Sequence, residues 1–409
     1  MGGQKVTVAR LLAIATYCFA AWSFYQYVAP NEDRSKSNAV NFPTPHAAGY
    51  SPTEYNSPLD TVVSWPDMMK EPPDTGYPVY RSLLDIVTEW NPDNPEPPAA
   101  FRETIQRFNY SDLLERSYAE KFRNAELPFK MYNIPDMQTI STKWNDKYLS
   151  EKMASEQGHV EKSRSNHFMY WNNNRDRSRK FTPPTDVIKM KFKDWLVIAK
   201  AADATKLLND TIHYYFMTGA PANDNLRSFI SADLPIFSTR RNNFFISNVY
   251  ANKGIQCRFG MRGIIAEAHY DSGRNMVAMI KGAKRYILAP PSACKKLGII
   301  ADVKDPSYRH SVIDWSDINQ AATKGFNTVD AIETIVQSGE VLYIPSYWFH
   351  YIVSLKYSIQ CNSRSGSPPN GEGQTEIENC VGTPHKWYPI ALLYFYLIFV
   401  VLTVCSPLK

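Results

Sequence analysis

The sequence predicts a mainly β protein, an antiparallel barrel or jelly roll preceded by helices and flanked by two membrane-directed apolar segments. Three observations predict it. Eight short runs rich in β-branched and aromatic residues, each bounded by Gly, Pro or Asn, follow one another in the second half: "HYYFM", "NNFFISNVY", "QCRFGM", "GIIAEAHYD", "NMVAMIKG", "KRYILAPP", "EVLYIPS" and "SIQCNSR". The aromatic content of 13% and the 28 prolines among 409 residues exceed what suits a helical bundle and fit many turns and a proline-rich arm. Residues 11–29 and 387–404 are apolar enough to be read as membrane segments.

In chain order, residues 1–30 read as a signal anchor or transmembrane helix, with Lys5 and Arg10 before the apolar run and Glu32 and Asp33 after it. A cleaved signal peptide is the alternative. Either places the main domain in the lumen of an endomembrane compartment, which the sequons at Asn109 and Asn209 favour. A tail-anchored chain with a cytosolic domain is the competing topology. Residues 31–100 carry proline clusters and read as an extended stalk with one short helix, "VYRSLLDIVTEW".

The segments "FRETIQRFNYSDLLERSYAEKF", "STKWNDKYLSEKM" and "KFKDWLVIAKAADATKLL" have helical spacing. The folded domain is expected over 101–366, followed by a linker at 367–386 and a C-terminal transmembrane helix at 387–405. The net charge of +5 is spread along the chain, so nucleic acid is not expected as a partner. Among the six cysteines, Cys257, Cys294, Cys361 and Cys380 show no CxxC spacing for zinc and are either disulfide-bonded in unassigned pairs or buried thiols.

The chemistry concentrates in "HYDSGRNMVAMIKGAKRYILAPP" and "GEVLYIPSYWFHYI". Alternation along a strand puts His269 and Asp271 on one face, and His350 on a later strand is the candidate third ligand. Two imidazoles and a carboxylate on one side of a metal leave positions open for reactants. Lys284, on the adjoining run, can grip a distal carboxylate inside an otherwise apolar barrel.

These two motifs closely resemble those of the cupin-like Jumonji C (JmjC) oxygenases, most of all the hypoxia-inducible-factor asparaginyl hydroxylase branch. The resemblance covers 126–366 and implies a double-stranded β-helix with Fe(II) and O2 at the metal and 2-oxoglutarate as cosubstrate. Carried over by position, it implies His269, Asp271 and His350 as iron ligands and Lys284 as the partner of the far 2-oxoglutarate carboxylate. Asn275, Asn362 and Tyr215 are implied to line the cosubstrate pocket. The implied function is a membrane-anchored dioxygenase hydroxylating a protein side chain. A catalytically silent, membrane-tethered binding or scaffold protein is the alternative, because Ala266 stands where that branch has threonine. Glu267 follows it, and alternation places its charge on the inward face beside His269.

Overall fold

The computed structural model describes residues 55–56, 62–64 and 76–382, apart from 156, 176–179, 206–211, 225–226, 238–242 and 370. Eight strands form the central barrel: β1 (Asn252–Gly260), β2 (Ile265–Tyr270), β3 (Asn275–Lys281), β4 (Ala283–Ala289), β5 (Asp330–Gln337), β6 (Val341–Ile344), β7 (Phe349–Ser354) and β8 (Ser358–Ser365). One sheet holds them in the order β6-β3-β8-β1 and the other in the order β5-β4-β7-β2. Except from β4 to β5, each strand lies in the sheet opposite its predecessor, so the chain winds as a double-stranded β-helix.

Flanking strands extend both sheets. Gln106–Asn109 and Phe129–Tyr132 continue the first beyond β6, while His213–Ala220, Gln157–Ser163 and Asp186–Lys191 continue it beyond β1. Val277, Met279, Tyr286, Leu288, Ile332, Val336, Leu342, Ile344 and Ile352, drawn from both sheets, make an apolar plug between them. A separate cluster including Leu83, Ile86, Val87, Trp315 and Tyr351 covers the second sheet. The barrel walls are therefore buried on both faces, which is why their strands read as nearly continuous apolar runs.

Several expectations need correction. Among the described residues no helix is long and apolar enough to cross a membrane. The longest helix described, Phe192–Thr205, has 14 residues against the roughly 20 a span needs, and it turns Phe192, Trp195, Leu196 and Ala199 into the core. The fold class of the described residues is thus a jelly roll with flanking helices, the predicted transmembrane helices are not supported, and neither is the luminal or the tail-anchored membrane localisation. Residues 11–29 and 387–404, on which those expectations rested, and Asn209 lie outside the described residues.

The helical spacing of 101–122 holds only for its second half. Asp112 accepts from the N–H groups of Leu114 and Glu115 and caps a helix at Leu113–Asn124, while Ala100–Arg102 and Gln106–Asn109 are strands. The run "NNFFISNVY" is no strand. The Asn243 side chain accepts from Phe245 N–H and Ile246 N–H, drawing the backbone into a turn, and Phe244 and Phe245 pack on Tyr110.

Two disulfides resolve the cysteine pairing. Cys257–Cys361 joins β1 to β8, and Cys294–Cys380 ties the segment after β4 to the helix Glu372–Val381. That helix lies in the stretch expected to be a linker. Cross-linking residues 86 apart restricts the unfolded chain, so Cys380→Ser is expected to lower unfolding free energy by about 2–4 kcal/mol in urea titration.

Candidate metal centre

His269 on β2 lies directly opposite His350 on β7, and their rings approach to 4.2 Å between centroids. Asp271 follows immediately after β2. Its carbonyl accepts from Tyr347 N–H at 2.7 Å, and Tyr347, with φ of 66°, occupies the left-handed region in the turn that leads into β7. One backbone bond thus joins the two motifs that the sequence separates. One ligand atom from each of His269, Asp271 and His350 fits within 4.8 Å of the others.

Both imidazoles are oriented by backbone. His269 Nδ1 lies 2.7 Å from the Glu267 carbonyl oxygen, and His350 Nδ1 lies 3.1 Å from that of Trp348. A carbonyl only accepts, so each Nδ1 carries the hydrogen and each Nε2 keeps its lone pair, the tautomer a metal requires. Burial lowers the pKa of both rings and keeps them neutral. Burial would raise the Asp271 carboxyl, yet Arg364, the histidines and Arg309 hold it well below the usual range. Arg364 donates to its Oδ1 at 2.6 Å and Arg309 at 3.3 Å, while Oδ2 lies 3.9 Å from His350 Nε2. The donor set of two nitrogen lone pairs and one ionised carboxylate fits a borderline divalent ion such as Fe(II).

The three residues line a cavity of about 260 Å³ between the sheets. Asn275, Asn362 and Tyr215 also line it, and Asn362 Nδ2 donates to Asn275 Oδ1 at 2.9 Å. Lys284 stands one step behind the wall. Fully buried, its ammonium donates to Tyr215 Oη at 3.2 Å, which leaves the Tyr215 hydroxyl hydrogen free to donate into the cavity. Burial, reinforced by Arg258, pushes Lys284 down to about 7, and burial raises Tyr215 to about 12.

Glu267 does not share the inward face. Between Ala266, opposite Ile352, and His269, opposite His350, β2 holds one residue more than β7. This bulge leaves Ala266 and His269 both lining the cavity and sends the Glu267 side chain to the far side of the sheet, where it pairs with His167. The negative charge expected beside the ligands is absent from the cavity wall.

Sequence reasoning missed Arg364, Arg309, His310, Arg258 and Gln360, all of which line the cavity. Alternation was enough for two of them, since Gln360, Asn362 and Arg364 share one face of β8. Arg309 and His310 come from the long connection between β4 and β5. His310 reaches the site through an isolated bridge to His269, with their rings stacked at 5.0 Å.

Comparison with known proteins agrees with this geometry. The family model described as a cupin-like domain matches residues 115–363. A JmjC domain-containing protein of Dictyostelium discoideum is 30% identical over 112 residues, 27% of this chain and 25% of that protein. A tRNA wybutosine-synthesizing protein of Danio rerio is 27% identical over 105 residues, 26% of this chain and 30% of that protein. A lysine-specific demethylase of Arabidopsis thaliana is 28% identical over 109 residues, 25% of this chain and 23% of that protein. The chain thus spans less than a third of the length of these curated relatives.

Proposed function

Since the chain belongs to the cupin-like domain family, we propose that it is an Fe(II)- and 2-oxoglutarate-dependent dioxygenase that hydroxylates a protein side chain. The observation that carries this reading is the convergence of His269, Asp271 and His350, with both Nε2 lone pairs open, on a cavity backed by the buried cation Lys284. Bound Fe(II), with 2-oxoglutarate and O2, supplies oxidative decarboxylation to succinate coupled to insertion of an oxygen atom into a substrate C–H bond.

The chain's own residues do the rest. His269, His350 and Asp271 would hold the ion. Arg364 and Arg309 keep Asp271 ionised and turned, so that Oδ2 is the oxygen offered. Tyr215, polarised by the hydrogen bond it accepts from Lys284, would donate to the far carboxylate of the cosubstrate, and the joined amides of Asn275 and Asn362 would line its pocket. The apolar plug excludes water from the reacting end.

The test is the full chain supplied with Fe(II), ascorbate and 2-oxoglutarate, following succinate with and without chelator. Chelator-sensitive succinate supports the reading; none, together with no metal-dependent binding of 2-oxoglutarate, favours the silent scaffold. A tRNA substrate is the second reading, favoured by the wybutosine-synthesizing relative. A gain of one oxygen on peptide or on nucleoside, read by mass spectrometry, separates the two.

Lys284→Ala is expected to raise KM for 2-oxoglutarate by about 10- to 150-fold, the equivalent of about 1.5–3 kcal/mol for a hydrogen bond to a charged group. The pH dependence has a definite sign. A dianionic cosubstrate held by Tyr215 is favoured by the protonated lysine behind it, and above about 7 the free protein holds that lysine neutral, so binding must take up a proton. Affinity for 2-oxoglutarate therefore falls about tenfold per pH unit above that value in isothermal titration, and the Lys284→Ala chain loses this slope.

A further inference from the structure

On the far side of β2 from the first site, a second group of ligand-bearing side chains comes together from four parts of the chain. Glu267 leaves β2 at the bulge, His167 comes from the neighbouring strand His167–Phe168, and Asp314 from the connection between β4 and β5. Asp93 arrives from the segment after the helix Leu83–Glu89. One ligand atom from each of His167, Glu267 and Asp314 fits within 4.8 Å of the others. A tetrahedral ion with bonds of about 2.1 Å spaces its ligands about 3.4 Å apart, inside that limit.

We propose that His167, Glu267 and Asp314 form a second divalent-metal site, of zinc type, which holds the β4–β5 connection against β2. The two nitrogens of His167 have different partners. Nε2 lies 3.0 Å from Asp93 Oδ1, while Nδ1 faces Glu267. Burial would lower the pKa of this ring, yet the carboxylates at its two nitrogens raise it to about 10; a metal would displace the hydrogen on Nδ1 while Asp93 keeps the one on Nε2, the arrangement in which a carboxylate orients a metal-bound imidazole.

Charge points the same way. Three carboxylates face one imidazole, and no lysine or arginine among the described residues forms an ion pair with any of them. Glu267 is 8% exposed while Asp93 is half exposed, and a protonated His167 offsets one of the three negative charges where a divalent cation would offset two. The independent sign of a missing partner is Tyr351. Its hydroxyl is fully buried without a hydrogen-bond partner, and burial, with the charges of Glu267, Asp314 and Asp93 added, raises its pKa. Trp315, next to Asp314, stacks on the Tyr351 ring at 5.2 Å and 8°, which joins the Tyr351 ring to the segment that carries Asp314.

Imidazole nitrogen with two carboxylate oxygens suits zinc or a neighbouring transition ion better than calcium or magnesium. Asp93, whose side chain is half exposed, marks the way in from solvent. The ion anchors Asp314, and the same connection presents Arg309 to Asp271 and His310 to His269. The site is independent of the dioxygenase reading, because none of its ligands touches the cavity.

The experiment uses the full chain carrying His269→Ala and His350→Ala, which removes the first site. After chelation it is dialysed against Zn2+ and bound zinc is measured by emission spectroscopy. One zinc per chain is expected, falling to none when Asp314→Asn or His167→Ala is added. No bound zinc in the parent double variant overturns the proposal and leaves His167 as an ion-pair partner only. Zinc retained after both additions overturns it too, since the ion then sits elsewhere. Should the added variants fail to fold, the parent alone decides. Zinc at a hundredfold excess over its dissociation constant is expected to raise the melting temperature by about 4 °C, and a flat melting temperature overturns the site.

Discussion

Replacing His350 by alanine is expected to abolish chelator-sensitive succinate formation and to lower Fe(II) affinity by more than about 100-fold. Loss of a group that merely orients a ligand costs about 10- to 100-fold, and His350 is itself a proposed ligand. Its Nε2 is the only ring atom free to bind, because Nδ1 is committed to the Trp348 carbonyl. No neighbouring side chain replaces it. His310 stacks on His269 from the other side, and it is absent from the group whose ligand atoms converge. Glutamine at 350 keeps much of the volume but offers no imidazole nitrogen, so it should fail equally. The measurement is anaerobic Fe(II) titration beside the succinate assay. Retention of a tenth or more of wild-type turnover in His350→Ala would remove His350 from the ligand set.

How much of this was legible in the sequence depended on the range of the forces involved. Strands β1–β4, β6 and β8 were legible because their alternation and their bounding Gly, Pro and Asn residues are local features. Nothing local links His269 to His350, 81 residues on: the residues offered His350 only as a candidate third ligand on a later strand, and the resemblance added its match to an iron ligand. The face of Glu267 was misread because a bulge is set by the partner strand. Alternation on β2 alone predicts an inward carboxylate, and the extra residue opposite β7 reverses that. Arg364 was written plainly into "SIQCNSR", two residues beyond Asn362, and needed only the same rule applied once more. Arg309 and His310 had no such signal, because a long connection carries them to the site.

The proline-rich segment before residue 101 shows a different failure. Its composition reads as a stalk, yet Leu83, Ile86 and Val87 are fully buried against the second sheet. The missing information was on β4, where the neighbours Lys284 and Arg285 point to opposite faces and both are buried. In isolation "KGAKR" looks like a charged turn, because a wall covered on both sides is not visible from one strand.

Arg285 is the side chain that fastens this segment. Its Nε and Nη2 donate to Glu333 Oε2 at 2.8 and 2.6 Å, Nη1 to the Trp90 carbonyl at 2.7 Å and Nη2 to the Ile86 carbonyl at 3.1 Å. The guanidinium also lies 4.1 Å from the centroid of the Trp90 ring. The Ile86 carbonyl belongs to the last turn of the helix Leu83–Glu89, so one cation satisfies a helix end and a buried carboxylate together. Arg285→Ala is expected to destabilise the chain by about 3–5 kcal/mol, because it leaves Glu333 buried with only Arg81 as a cationic partner. Lysine should recover little, since an ammonium cannot reproduce the planar fork. Urea unfolding gives the magnitude, and hydrogen exchange should show protection lost first over residues 81–90. A loss below about 1 kcal/mol would mean that the apolar contacts of Leu83, Ile86 and Val87 hold the segment by themselves, with the arginine incidental to its docking.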